Sequence, residues 1–111
     1  MSNTWNITPS QLDKKQNNGE KMYIVDLRRD SDYRTGHIKG AINVYVDDED
    51  LIIPEFLVKM IYRHMNKSMV ILYCENGITS MRCVAKLRKQ GLTVYNLYGG
   101  ITEYKLLFND I

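Results

Sequence analysis

Four short, largely apolar runs constrain the fold of this chain more than any other feature. They occupy residues 22–27, 41–45, 69–73 and 92–97. The first is apolar without alternation, which is typical of a strand in a sheet covered on both faces. Helix-like segments separate the runs, and strands joined through helices predict a parallel sheet with right-handed crossovers. We therefore predict an α/β fold, with a central parallel sheet of about four or five strands flanked by helices.

The helices begin and end at recognisable signals. Thr8 is a predicted helix cap, Pro9 suits the first helical position, and Gln11 would close a capping box with Thr8. This helix would continue to about residue 17. Further helices are predicted over one turn at 30–34, from Pro54 to about 66, over 81–90 and over 101–108.

Length and charge exclude several classes of protein. A chain of 111 residues suits a single domain, residues 1–111. A net charge of +2 gives no argument for binding nucleic acid, and no segment approaches the ~20 apolar residues of a membrane helix. The first residues lack the basic start and apolar stretch of a secretion signal. We expect a cytoplasmic protein with neither nucleic acid nor membrane as a partner.

Cys74 is the strongest functional signal. It stands directly after the predicted strand 69–73 and shortly before the predicted helix 81–90. Active sites of parallel sheets lie beyond the carboxyl ends of the strands, so Cys74 and Asp26 should share one edge. A helix start offers unpaired N–H groups and a positive dipole end, and both favour a thiolate. Cys74 is therefore the predicted nucleophile.

Six residues form a predicted anion-binding loop after this nucleophile: Glu75, Asn76, Gly77, Ile78, Thr79 and Ser80. Their backbone N–H groups are expected to point inward. Gly77 would permit a positive φ or a close approach, Thr79 and Ser80 add hydroxyl donors, and Ser80 is also a candidate helix cap. Glu75 fits poorly, because an inward carboxylate would repel an anionic substrate. Pointing to solvent, it would have a weaker effect.

Four sequence pieces, in this order and spacing, resemble the single-domain rhodanese (thiosulfate sulfurtransferase) family. They are residues 26–28, 33–43, 73–80 and 96–101, and the resemblance spans about residues 7–108. It implies a rhodanese-like three-layer sandwich and a sulfurtransferase that uses a Cys74 persulfide, with no metal or organic cofactor. The implied partners are a small sulfur donor such as thiosulfate, or a protein persulfide, and a thiol or cyanide as acceptor.

The remaining candidate residues have structural interpretations beside functional ones. Asp26 and Arg28 would form an ion pair that braces the loop, with substrate contact as the other reading. Cys83 is expected to pack in the core, with a resolving thiol as the alternative. His37 is expected to be structural rather than a base for Cys74. Thr79 stands where many single-domain relatives have Arg, which leaves the preferred sulfur donor open.

Two other functions compete with sulfur transfer. A phosphatase or arsenate reductase on this fold needs an Arg six residues after the cysteine, where this chain has Ser80, and Arg82 comes two residues too late. A non-catalytic or sulfur-carrier module that binds a partner protein is the other alternative, because fold alone does not fix activity.

Overall fold

Strands and helices alternate along the chain in the computed structural model, which describes residues 5–108. The strands are β1 (Asn6–Ile7), β2 (Met22–Asp26), β3 (Ile42–Asn43), β4 (Met69–Tyr73) and β5 (Tyr95–Leu97). The helices are α1 (Pro9–Asn17), α2 (Asp30–Thr35), α3 (Glu55–His64), α4 (Ile78–Lys89) and α5 (Gly100–Leu107). Within the described range, none of the helices has the length and apolar character to span a membrane.

All five strands are parallel and form one sheet in the order β1-β5-β4-β2-β3. The predicted α/β fold with a parallel sheet is confirmed. The register places Asp26 beside both Tyr73 and Asn43. The ends of β2 and β4 therefore coincide, and Cys74 follows Tyr73 at the same edge of the sheet as Asp26, as predicted.

The sheet is covered on both faces, which explains the apolar runs. Along β4, Val70 and Leu72 belong to a core cluster with residues of α3 and α4, such as Ile61 and Val84. The alternate residues of β4, Ile71 and Tyr73, belong to a second cluster with residues of α1 and α5. Successive side chains of a strand point to opposite faces, so a strand between two helical layers is apolar throughout.

Local sequence signals predicted the ends of some helices and strands correctly and of others wrongly. The capping box of α1 is confirmed: Gln11 N donates to Thr8 Oγ1 (3.1 Å), and Thr8 N donates to Gln11 Oε1 (2.9 Å). The predicted strand 92–97 was too long, because Leu92 N still bonds the carbonyl of Leu87 (3.1 Å), and β5 starts only at Tyr95. The two-residue strand β1 was missed, because so short a run carries no periodicity of its own.

Cys83 lies on the inner side of α4, in the cluster with α3, and is 1% exposed. Its predicted role in core packing is confirmed. Burial raises the pKa of this thiol from 9.0 to about 11. Cys83 is therefore a protonated, inaccessible thiol in the folded protein at neutral pH.

We expect the stability of the protein to fall as the pH rises from about 9 to about 11. In this interval Cys83 keeps its proton in the folded state and loses it in the unfolded state, so the unfolded state is favoured. Cys83→Ala removes this contribution, and its free energy of unfolding should decline less steeply. Equilibrium urea unfolding of both proteins across this range measures the difference. Equal slopes would contradict a protonated thiol in the core.

Candidate active site

Cys74 occupies the turn between the end of β4 and the start of α4. Its side chain is 6% exposed, at the base of a cavity of about 310 Å³. Three groups surround the sulfur. Gly77 N donates to Sγ at 3.2 Å, Ser80 N donates at 3.3 Å, and Ser80 Oγ lies 3.2 Å away. The sulfur thus lies in a small cup of hydrogen-bonding groups.

The loop differs from the sequence prediction in two details. The sequence prediction has the N–H groups of this loop pointing inward. The N–H of Ile78 instead donates to Asn76 Oδ1 (3.1 Å) and does not point at the sulfur. Ser80 is not the helix cap, because α4 already begins at Ile78, with Gly77 in the cap position. Ser80 lies in the first turn, where its backbone N–H donates to the sulfur and its Oγ lies 3.2 Å from Sγ.

Two glycines, Gly77 and Gly100, let α5 approach this loop closely. Gly77 has a φ of +90°, and a Cβ there would lie 3.0 Å from Gly99 N. Gly100 has a φ of +63°, and a Cβ there would lie 2.5 Å from the carbonyl oxygens of both Cys74 and Glu75. Across this contact, the first turn of α5 donates to the same two carbonyls at 3.0 Å. Both uses predicted for Gly77, the positive φ and the close approach, are present.

Asp26 and Arg28 form a buried ion pair beside the loop. Arg28 Nη2 donates to Asp26 Oδ2 at 2.8 Å, while Tyr73 Oη donates to the same oxygen at 2.8 Å. Arg28 Nη2 also donates to the carbonyl of Gly36 (2.7 Å). Burial alone would lower the pKa of Arg28, but the hydrogen bond and charge of Asp26 outweigh it and raise the pKa. The geometry is that of a brace, although Arg28 also lines the cavity.

The cavity in front of Cys74 carries charges of both signs. Its charged lining residues are Arg28, Arg29, Asp32, Asp48 and Glu75, and Asn76 and Thr79 complete the side next to the loop. The charge of Arg28 is largely offset by Asp26, and Arg29 lies over the ring of Tyr45, 4.8 Å from its centroid. The cavity is therefore not a strongly cationic pocket.

Glu75 lies at the rim of this cavity rather than inside it. Its side chain is 61% exposed, and Oε1 lies 3.7 Å from Arg28 Nη1. Thr102 Oγ1 donates to the other carboxylate oxygen at 3.3 Å. The outward orientation, left open by the sequence, reduces repulsion at the sulfur through solvent screening. The negative charge still stands on the path that an anion takes into the cavity.

The other candidates lie away from the sulfur. His37 stacks on Tyr33, with 3.7 Å between ring centroids, and its Nδ1 lies 3.0 Å from the Tyr33 carbonyl oxygen. Arg82 donates to the carbonyl of Asp48 at 2.8 Å. The structure therefore brings Cys74, the loop, Asp26 and Arg28 together and leaves His37 with a structural contact.

Several residues of the site were missed in the sequence, among them Arg29, Asp48 and Asn96. Arg29 and Asp48 reach the cavity only because α2 and the acidic loop 47–50 fold over the same sheet edge. Asn96 is buried at 3% exposure and accepts a hydrogen bond from Ser80 Oγ (2.6 Å). A polar residue within an apolar strand was the available signal, because buried polar groups need partners.

Fold and site together define an α/β domain that presents a cysteine, surrounded by backbone amides, at the carboxyl edge of a parallel sheet. The family model described as the rhodanese-like domain matches residues 8–107. The chain therefore belongs to the rhodanese-like domain family, as the sequence resemblance implied.

Two relatives with similar sequences are named differently from each other. The chain is 35% identical over 85 residues to the tRNA uridine(34) hydroxylase of Buchnera aphidicola, covering 73% of this chain and 26% of that protein. It is 34% identical over 85 residues to the uncharacterized protein YqhL of Bacillus subtilis, covering 76% of this chain and 61% of that protein. The chain thus spans about a quarter of the length of the hydroxylase.

A solved structure shares the fold. The rhodanese-like domain protein of Staphylococcus aureus superposes with a TM-score of 0.65 at 22% identity, covering 89% of each chain. At this identity the likeness establishes the three-layer fold alone. The family and the fold are therefore confirmed, and the specific reaction is a separate question.

We expect Gly100→Ala to destabilise the protein more than Gly40→Ala. Both glycines have positive φ, so each substitution costs about 1–2 kcal/mol for the backbone. A Cβ at Gly40 meets no atom within 4 Å, whereas one at Gly100 overlaps two carbonyl oxygens. The overlap should add about 1–3 kcal/mol. Equilibrium urea unfolding gives both values, and equal losses would contradict the close contact between α5 and the cysteine loop.

Proposed function

We propose that the protein is a sulfurtransferase that carries sulfane sulfur on Cys74. One observation supports this above the others: Sγ accepts hydrogen bonds from the N–H groups of Gly77 and Ser80 and opens onto a cavity. Backbone N–H donors stabilise negative charge on sulfur, and α4 directs the positive end of its dipole to the same place. The family membership supports the same reaction class.

The first step moves one sulfur atom to the enzyme. The Cys74 thiolate attacks the outer sulfur of thiosulfate, the S–S bond of the donor breaks, and sulfite leaves with its electron pair. Cys74 then carries a persulfide with one negative charge. With an organic persulfide as donor, the leaving group is a thiolate instead.

The second step returns the cysteine to its starting state. An acceptor such as cyanide or a thiolate attacks the outer sulfur of the persulfide, and the Cys74 thiolate leaves. Each step is a nucleophilic displacement at sulfur, so the enzyme alternates between two covalent states and follows ping-pong kinetics. No metal or organic cofactor takes part in this scheme.

The charge around the cavity favours a persulfide donor over thiosulfate. Thiosulfate carries two negative charges, whereas the cavity lining includes Asp32, Asp48 and Glu75 beside the two arginines. Arg28 is engaged with Asp26, which leaves Arg29 as the main counter-charge in the lining. A persulfide on a small thiol or on a protein brings less negative charge to the reacting sulfur.

The name of the hydroxylase relatives gives a second candidate, a role in tRNA modification. The sequence similarity covers about a quarter of such a protein. A net charge of +2 offers this chain little attraction for a polyanion such as tRNA. We therefore place sulfur transfer first. The phosphatase alternative needs an Arg at position 80, and there the hydroxyl of Ser80 lies against the sulfur instead.

We expect incubation with a sulfur donor to add about 32 Da to the intact protein, the mass of one persulfide sulfur. Cys74→Ser should not gain this mass, while Cys83→Ala should gain it fully, because Cys83 is buried in the core. Intact-mass spectrometry under non-reducing conditions makes the measurement. Unchanged mass with both thiosulfate and a small-molecule persulfide would overturn the proposed function. A gain from a protein persulfide alone would favour the sulfur-carrier alternative.

We expect Glu75→Gln to raise kcat/KM for thiosulfate about 2- to 5-fold at low salt, because it removes a charge from the cavity rim. Gln keeps an oxygen that can accept from Thr102. Glu55→Gln on α3 is the matched control and should change nothing. Raising the salt from about 0.02 M to about 0.5 M should remove most of the gain. A lower kcat/KM in Glu75→Gln would assign that side chain to substrate binding instead.

A further inference from the structure

Four polar side chains form a continuous hydrogen-bonded network that starts at the sulfur and runs through β5 to β1. Cys74 Sγ lies 3.2 Å from Ser80 Oγ, which donates to Asn96 Oδ1 at 2.6 Å. Asn96 Nδ2 in turn donates to Asn6 Oδ1 at 2.9 Å. Ser80 is fully buried and Asn96 is 3% exposed, while Asn6 is half-buried. The network thus runs from the reactive atom to the protein surface.

The direction of the single hydroxyl hydrogen of Ser80 determines whether this hydrogen-bonded network favours the thiol or the thiolate of Cys74. The short contact with Asn96 Oδ1 places that hydrogen between the two oxygens. Ser80 Oγ then presents lone pairs to Cys74, an arrangement that suits an S–H donor. A thiolate needs the reverse, with the hydroxyl donating to sulfur. In the observed arrangement, Asn96 accepts the hydroxyl hydrogen of Ser80, so this hydrogen is not available to a Cys74 thiolate.

A rotation of the Asn96 side-chain amide by 180° would release the hydroxyl hydrogen of Ser80 from Asn96. Its Nδ2 would then donate to Ser80 Oγ and its Oδ1 would face Asn6, whose own amide can turn to donate. Ser80 would be free to donate to sulfur. No proton travels along the network in this change, since each bond only reverses direction, and the proton of Cys74 leaves through the cavity to solvent.

We propose that Asn96 is a positioning residue that restrains the formation of the Cys74 thiolate through the hydroxyl of Ser80, with Asn6 fixing the amide. The inference rests on the proposed use of Cys74 as a nucleophile. It gives the strand residue Asn96 a function, because a buried amide in an otherwise apolar strand is costly unless its bonds are used. The restraint lifts when the amide turns.

Other groups also act on the sulfur, and the test must hold them constant. Around the cavity these are Arg28, Arg29, Asp32, Tyr45, Asp48 and Glu75. On the helices packed against the loop, Cys83 of α4 interacts electrostatically with Cys74, and Glu103 of α5 lies beside Gly99. All of these except Cys83 remain in every variant below, and Cys83 is replaced in all of them, so their contributions cancel in the comparison.

The test is the rate of alkylation of Cys74 by iodoacetamide as a function of pH, in a Cys83→Ala background that leaves one thiol. Asn96→Leu should lower the midpoint of this profile by at least about half a pH unit, so that alkylation below the midpoint becomes about threefold faster. In a Ser80→Ala background, Asn96→Leu should leave the midpoint in place. Such non-additivity is the mark of an effect transmitted through Ser80.

Three results would overturn the proposal: an unchanged midpoint, a raised midpoint, or the same shift with and without the hydroxyl of Ser80. Should Asn96→Leu fail to fold, Asn6→Ala decides by the same criteria. Asn6 is half-buried, and its loss frees the Asn96 amide, so a smaller downward shift of about 0.3 pH unit is expected. Alkylation requires no sulfur donor, so this result stands apart from the mass measurement that tests the proposed function.

Discussion

The contact between the Gly99–Gly100 turn and the backbone of the cysteine loop is the constraint on which the site depends. The first turn of α5 donates to the carbonyl oxygens of Cys74 and Glu75, so both oxygens are engaged by α5. With those carbonyls held by α5, the N–H groups of Gly77 and Ser80 face the sulfur. The position of a neighbouring helix thus determines the polarity of the cup.

Electrostatic balance is the second constraint. A buried carboxylate is costly unless it is paired, and Asp26 is satisfied by Arg28 and by the hydroxyl of Tyr73. The pairing holds the ends of β2 and β4 together, but it also engages one of the two arginines that line the cavity. The same residues that hold the edge therefore make the cavity less attractive to a strongly anionic substrate, and stability and specificity are linked at this point.

Much of the fold and part of the site could be predicted from the sequence, because both depend on local patterns. The capping box at Thr8, the strand Met69–Tyr73 and the position of Cys74 after it are all readable from consecutive residues. Asn96 and Arg29 could not be assigned in the same way, since their roles come from parallel strand pairing and helix packing over long sequence separations. Ser80 lies in the loop beside the sulfur, as predicted, but its predicted role as helix cap was wrong, because α4 starts three residues before the predicted position.

The burial of Cys83 has a consequence for the reactions that the domain can carry out. The chain has two cysteines, and the second is enclosed between α3, α4 and the sheet with 1% exposure. If Cys74 carries sulfur as proposed, it meets no accessible thiol among the residues that the structure describes, and a disulfide between Cys74 and Cys83 cannot form without opening the core. On the proposed reaction, the sulfur held at Cys74 must then pass to an acceptor other than the thiol of Cys83, so turnover depends on an acceptor that reaches the cavity from outside this domain.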